Sequence, residues 1–167
     1  MMKTFWRRIS AELCYIPAVH ALITAIACLI LGIIVAVSSK GYGVFLPRTI
    51  FSVVFMGVFW GMFYTVIGFA FGCFLFSGAC YTNLHEEQTA LLFLCTLMLS
   101  YTWTVVVYKA GNFFLGLLIC FSIVACLTTL FLVLRKRWFL SGIMALFGNV
   151  WIFYVIYYTF TLMFFHL

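Results

Sequence analysis

The sequence predicts an all-α fold, an integral membrane bundle of five transmembrane helices, and three observations lead there. Of its 167 residues 68% are apolar, against roughly 45–50% in a soluble protein. Charged residues make up 7% where roughly 25% is usual, too few to cover a water-facing surface. The apolar residues gather in five runs of about 20 residues or more, the length that crosses a bilayer as a helix. Barrel strands are excluded, because they alternate apolar and polar at period two and these runs do not.

The spans are expected over 18–37, 49–76, 89–108, 113–134 and 139–165, within a single membrane domain covering 1–167. Lys3, Arg7 and Arg8 precede the first run as they would a secretory signal. That run is too long for the roughly 7–15 residue core of a signal, so it reads as a retained span. The break before the second span, Ser38 to Arg48, carries the Gly and Pro content of an irregular loop. Ahead of the third span, Asn83 is placed to cap the helix and Glu86 to return the bond three residues on. Lys109-Ala110-Gly111-Asn112 reads as a tight turn between antiparallel helices, and Arg135-Lys136-Arg137 closes the fourth.

This composition excludes whole classes of function. Aspartate is absent and the only carboxylates are Glu12, Glu86 and Glu87, which leaves no paired-carboxylate active site and no acidic metal cage within the spans. The formal charge of +6 comes from Lys and Arg in the breaks, the pattern that orients a chain in a bilayer and not a face for nucleic acid. Six Lys/Arg fall on the side of the amino terminus and three on the other, which predicts a cytoplasmic amino terminus. The seven cysteines form no CxxC and read as small packed hydrophobes. No metal site is expected: His85-Glu86-Glu87 lacks the HExxH spacing that sets two imidazoles on one helical face.

Two spans carry the most information. Gly57, Gly61, Gly68 and Gly72 form a ridge along one side of the second, with two GxxxG units, and Trp60 and Tyr64 project beside it. In the fifth, Phe147, Trp151, Tyr154 and Tyr158 recur at steps of four, three and four. Their indole and hydroxyl groups need partners that hydrocarbon does not supply, so this stripe should face inward. By the five-span topology Trp60 and Trp151 reach similar depth, and the third span adds Ser100 and Trp103. An aromatic-lined cavity without buried charge suits a flat, largely apolar ligand; the alternative for such stripes is plain helix packing.

The run Pro47, Gly57, Trp60, Gly61, Tyr64, Gly68 resembles, without a gap, the first-loop and second-helix signature of the translocator protein / tryptophan-rich sensory protein (TspO/MBR) family. Five spans in about 160 residues also match, Ser100-Tyr101-Thr102-Trp103 looks like a weakened Asn-Trp-x-Trp, and Trp151 stands where the family has the tryptophan after a Pro-Tyr pair. The chain departs from the family at Thr49, Phe51 and Ser52, at Ser100, at Phe147-Gly148 and at Thr159. The resemblance implies a receptor-like membrane protein that needs no cofactor and binds porphyrin, haem or another flat hydrophobic ligand in a cavity closed by the first loop. It implies a role in tetrapyrrole or stress regulation, and light-dependent porphyrin degradation in some members, for which Trp60 and Trp151 would be the catalytic pair. Family members are commonly homodimers, and the Gly57 to Gly72 ridge is a surface for close packing within or between chains. Arg48, beside Pro47, is placed either to pair with a porphyrin propionate or to anchor the loop at the headgroup level.

Other readings remain at this point. His20 is a weak haem-ligand candidate that can equally reach water near its helix end. A membrane subunit without a small-molecule pocket explains the same residues by partner docking. A small transporter is a third reading, although five spans do not divide into equal repeats. The absence of glycosylation sequons fits a bacterial plasma membrane.

Overall fold

The computed structural model describes residues 18–39, 53–76, 84–135 and 139–165, and among these every regular element is a helix. In chain order they are α1 (Ala18–Ser38), α2 (Val53–Phe76), α3 (Leu84–Tyr108), α4 (Phe113–Leu134) and α5 (Phe139–Phe165). All five are long and apolar enough to cross a membrane, so the chain is a multi-pass integral membrane protein. Expectations about Arg48, the stretch 49–52, Asn83 and the Glu86 side chain lie outside the described residues.

The fourth and fifth spans begin and end where the apolar pattern places them. The third starts at Leu84 instead of Thr89. Hydropathy marks only the part that matches the bilayer, whereas Leu84, Glu86, Glu87 and Gln88 are good helix formers that extend the helix past it. The turn after α3 follows from Gly111, whose φ of 63° needs a residue without a Cβ penalty. There the Val105 carbonyl accepts from the Lys109 and Ala110 amides, and the Val106 carbonyl from Asn112. Asn112 then caps α4, its side-chain oxygen accepting from the Leu115 amide at 3.0 Å.

Packing makes α2 the central helix. Its spanning window is 56% buried, against 22% for α1. The two outer hairpins, α1 with α2 and α4 with α5, are the most extensive pairs; α3 packs on α4, and α2 on α5. The α1–α2 contact explains the glycine ridge. A Cβ on Gly68 would lie 2.9 Å from Cys28 Cβ and 3.0 Å from Ala25 Cα, and one on Gly72 would lie 2.6 Å from Ala21 Cα. These two glycines let the backbones approach, facing Ala21, Ala25 and Cys28 of α1. Gly61 reaches Leu29 at an ordinary 3.4 Å, while Gly57 meets nothing within 4 Å. The ridge therefore serves contact within the chain over most of its length.

Most threonine hydroxyls in the spans are satisfied by their own helices. Thr65, Thr96, Thr104 and Thr159 each donate to the carbonyl four residues back, the arrangement that makes Thr tolerable in hydrocarbon. Polar links between helices among the described residues include Tyr101 to the Cys28 carbonyl, Ser141 to the Ala70 carbonyl, and the Asn149 amide to the Thr128 hydroxyl. Cys28, Cys73 and Cys120 are buried thiols and pack as small apolar groups.

Candidate functional site

Three tryptophans from three helices meet in the bundle. Trp60 of α2 lies 5.1 Å from Trp103 of α3, tilted by 35°, and 5.9 Å from Trp151 of α5 at an interplanar angle of 88° (ring centroids). Trp60 and Trp151 thus lie at the same level, as depth along the antiparallel helices predicts, and Trp103 joins them. No gap separates the two rings, however: they touch edge to face, so as they stand no flat molecule lies between them. A ligand at this site would stack on an outer face of the cluster or part the rings.

The cluster extends in two directions. From Trp60 it runs through Tyr64, stacked at 5.5 Å, to Tyr101 at 4.8 Å. From Trp151 it runs to Tyr154, stacked at 5.3 Å, and to Phe59, stacked at 5.1 Å. Tyr108 meets Trp103 edge to face. Offset-stacked and edge-to-face pairs of this kind contribute about 0.5–1.5 kcal/mol each beyond burial.

Tyr64 is held from all sides. Its hydroxyl sits beside the Ser100 and Thr104 side chains of α3, and its ring fills the space left by Gly32 of α1, where a Cβ would come within 2.5 Å of Cε2 and closer still to Cδ2. Ser100 is fully buried and donates to the Leu97 carbonyl at 2.7 Å. It therefore steadies Tyr64 more directly than it could meet a ligand. Tyr158 is buried, with its hydroxyl beside that of Tyr108 but without a well-aligned bond.

The exceptional feature is electrostatic. The Nε1 atoms of Trp60, Trp103 and Trp151 are all buried, and no protein group among the described residues accepts a hydrogen bond from them. An indole N–H is a donor only, and leaving one buried without an acceptor costs about 1–3 kcal/mol. N–H contacts to a facing ring, which the perpendicular pairs permit, recover only a fraction of that. Gly116 of α4 runs close to one of these donors: a Cβ there would lie 3.6 Å from Trp103 Nε1 and 2.6 Å from Val107 Cγ2.

One expectation, the inward stripe of α5, is corrected at its first member. Phe147 is 67% exposed and faces away from the cluster; its neighbour Gly148 is the inward residue, packed on Ile67, Leu127 and Phe63. The buried face of α5 centres on Gly148, Ile152, Val155 and Thr159, and the aromatic stripe runs along its border, where Trp151 and Tyr154 are only half-buried and Phe147 is left outside. His20 is also remote. It is exposed and rests on Phe76, with ring centroids 4.8 Å apart, at the end of α2 about 24 Å from Trp60 by helical rise.

Sequence reasoning missed Phe59, Tyr101, Tyr108 and Asn149. Phe59 and Tyr108 carry no signal beyond being aromatic in an aromatic-rich chain, whereas Tyr101 stands at the first tryptophan of the weakened Asn-Trp-x-Trp. Asn149 had one: it is the single amide in α5, and its Oδ1 is buried without a partner while Nδ2 donates to Thr128.

Among the described residues no group of three or more His, Cys, Asp or Glu side chains converges to hold a metal ion. The chain matches no protein-family model and no curated protein, so the resemblance to the TspO/MBR family rests on the residues that carry it.

Proposed function

We propose that this protein is a receptor-like membrane protein that binds a flat, hydrophobic ligand against the aromatic cluster of α2, α3 and α5. A porphyrin or haem is the ligand the resemblance to the TspO/MBR family implies, with tetrapyrrole or stress regulation as its context. The observation that supports the reading most is the union of Trp60, Trp103 and Trp151, whose buried N–H groups have no acceptor within the described chain. A structural core alone gains nothing from three such donors, each of which costs about 1–3 kcal/mol when left without an acceptor. We place the protein in a bacterial plasma membrane, as a homodimer with its amino terminus in the cytoplasm.

A second reading, a membrane subunit without a small-molecule pocket, is favoured by the direct contact among the rings. Titration with protoporphyrin IX separates the two. Saturable quenching of tryptophan emission that weakens in Trp60→Phe and in Trp151→Phe supports a site; only linear, collisional quenching of the native chain supports the subunit.

A further inference from the structure

The tryptophans restrict what the ligand must carry. Trp60 and Trp103 are each more than nine-tenths buried, Trp151 touches the first of them edge to face, and all three indole nitrogens are sealed from solvent without an acceptor among the described residues. Each such group can only donate. Surfaces of this kind reward a hydrogen-bond acceptor and give no advantage to a pure hydrocarbon. Charge limits the acceptor further. Helices α2, α4 and α5 contain no charged residue, and the glutamates of α3 stand in its first turn, at the opposite end from Trp103. An anionic acceptor drawn to the indoles would enter a low-dielectric interior with no cation on the helices that build the cluster.

We infer that the cluster of Trp60, Trp103 and Trp151 selects flat ligands whose acceptor at the indoles is uncharged, a ring carbonyl oxygen above all, over hydrocarbons of the same shape, and that it takes a carboxylate only at the ligand's edge, as in the propionates of a porphyrin, away from the indoles. The inference rests on the ligand-binding reading given above and names the chemistry that the site reads. It differs from a stacking platform, which takes any planar ring, and from a site for acids, which needs a cation. The ketone oxygen accepts from one or two indole N–H groups once the ligand parts the rings that seal them.

Three probes of one tricyclic skeleton test it: 9-fluorenone with a ring carbonyl, fluorene with a methylene in its place, and fluorene-9-carboxylate with the anion at that same position. The full chain, with its indoles labelled by 15N, is titrated in detergent micelles with ligand concentrations expressed in the micellar phase. The three indole N–H signals are assigned from the Trp60→Phe, Trp103→Phe and Trp151→Phe variants. The expected result is saturable binding of the ketone about tenfold tighter than fluorene, the gain of one net hydrogen bond, with downfield shifts of at least one of the three N–H protons. The carboxylate should bind more weakly than the ketone, and Trp103→Phe should bring the ketone-to-fluorene ratio toward one. Equal saturable affinity for ketone and fluorene overturns the inference and leaves the stacking site standing; saturation by neither overturns the inference, and the protoporphyrin IX titration then decides the ligand-binding reading by itself. A carboxylate that binds as tightly as the ketone overturns the requirement for an uncharged acceptor. If a variant fails to fold, the comparison of the three probes on the native chain still decides.

Discussion

The Tyr101 hydroxyl of α3 donates to the Cys28 carbonyl of α1 at 2.9 Å, joining residues 73 apart in the chain. The same turn of α1 faces Gly68 of α2, so Cys28 is the point at which three helices touch. Interhelical hydrogen bonds in membranes average about 0.6 kcal/mol. Tyr101→Phe should therefore lower unfolding stability by about 0.5–1.5 kcal/mol, measured by reversible denaturation in mixed micelles, and leave the Tyr101 ring packed against Tyr64. A larger loss would mean that the hydroxyl carries more than this bond.

The glycines of α2 divide into contacts and bystanders. Gly68→Ala and Gly72→Ala place a methyl group against the α1 backbone and should each destabilise the chain by about 1–3 kcal/mol, the usual cost of overpacking. Gly57→Ala meets open space and should be neutral or slightly stabilising, since alanine is the better helix former. Equal effects at Gly57 and Gly72 in a thermal unfolding series would contradict this packing.

Gly32→Ala drives a methyl group into the Tyr64 ring. Because Tyr64 packs against both Trp60 and Tyr101, the disturbance should reach the tryptophans. The expected result is a changed near-UV circular dichroism spectrum with an unchanged far-UV spectrum. If the aromatic signal is unaltered, α1 does not bear on the cluster.

Trp60 and Trp103 should be energetically coupled. A double-mutant cycle with Trp60→Phe and Trp103→Phe removes the indoles and keeps a ring, and the interaction energy should be about 0.5–1.5 kcal/mol. Additive effects within about 0.3 kcal/mol would show that the two rings do not depend on each other.

Phe147→Ala provides the contrast with Trp151→Phe. Phe147 points outward, so its truncation should leave protoporphyrin IX quenching unchanged, whereas Trp151→Phe should weaken it. Loss of quenching in Phe147→Ala would reinstate the whole stripe as the inward face.

Much of this architecture is legible in the residues. Bilayer length and charged breaks locate five helices, and α4 and α5 begin and end as expected because Gly111-Asn112 and Arg135 are strong stop and start signals. The union of Trp60 and Trp151 follows from counting depth along antiparallel helices. Azimuth is harder to read. A helix that is apolar on every side has no polar face to mark which way it turns, so Phe147 reads as inward from spacing alone and Tyr101 gives no sign of its distant partner Cys28. Contact across helices also decides whether aromatic rings enclose space or fill it, and spacing within one helix carries no information on that.

Helix order gives the tryptophan cluster a place in biogenesis. Its members belong to α2, α3 and α5, so a nascent chain leaving the ribosome can join Trp60 to Trp103 while Trp151 is still unsynthesised. Arrival of α5 is then what completes the cluster, so the aromatic core closes only after α2 and α3 have already met.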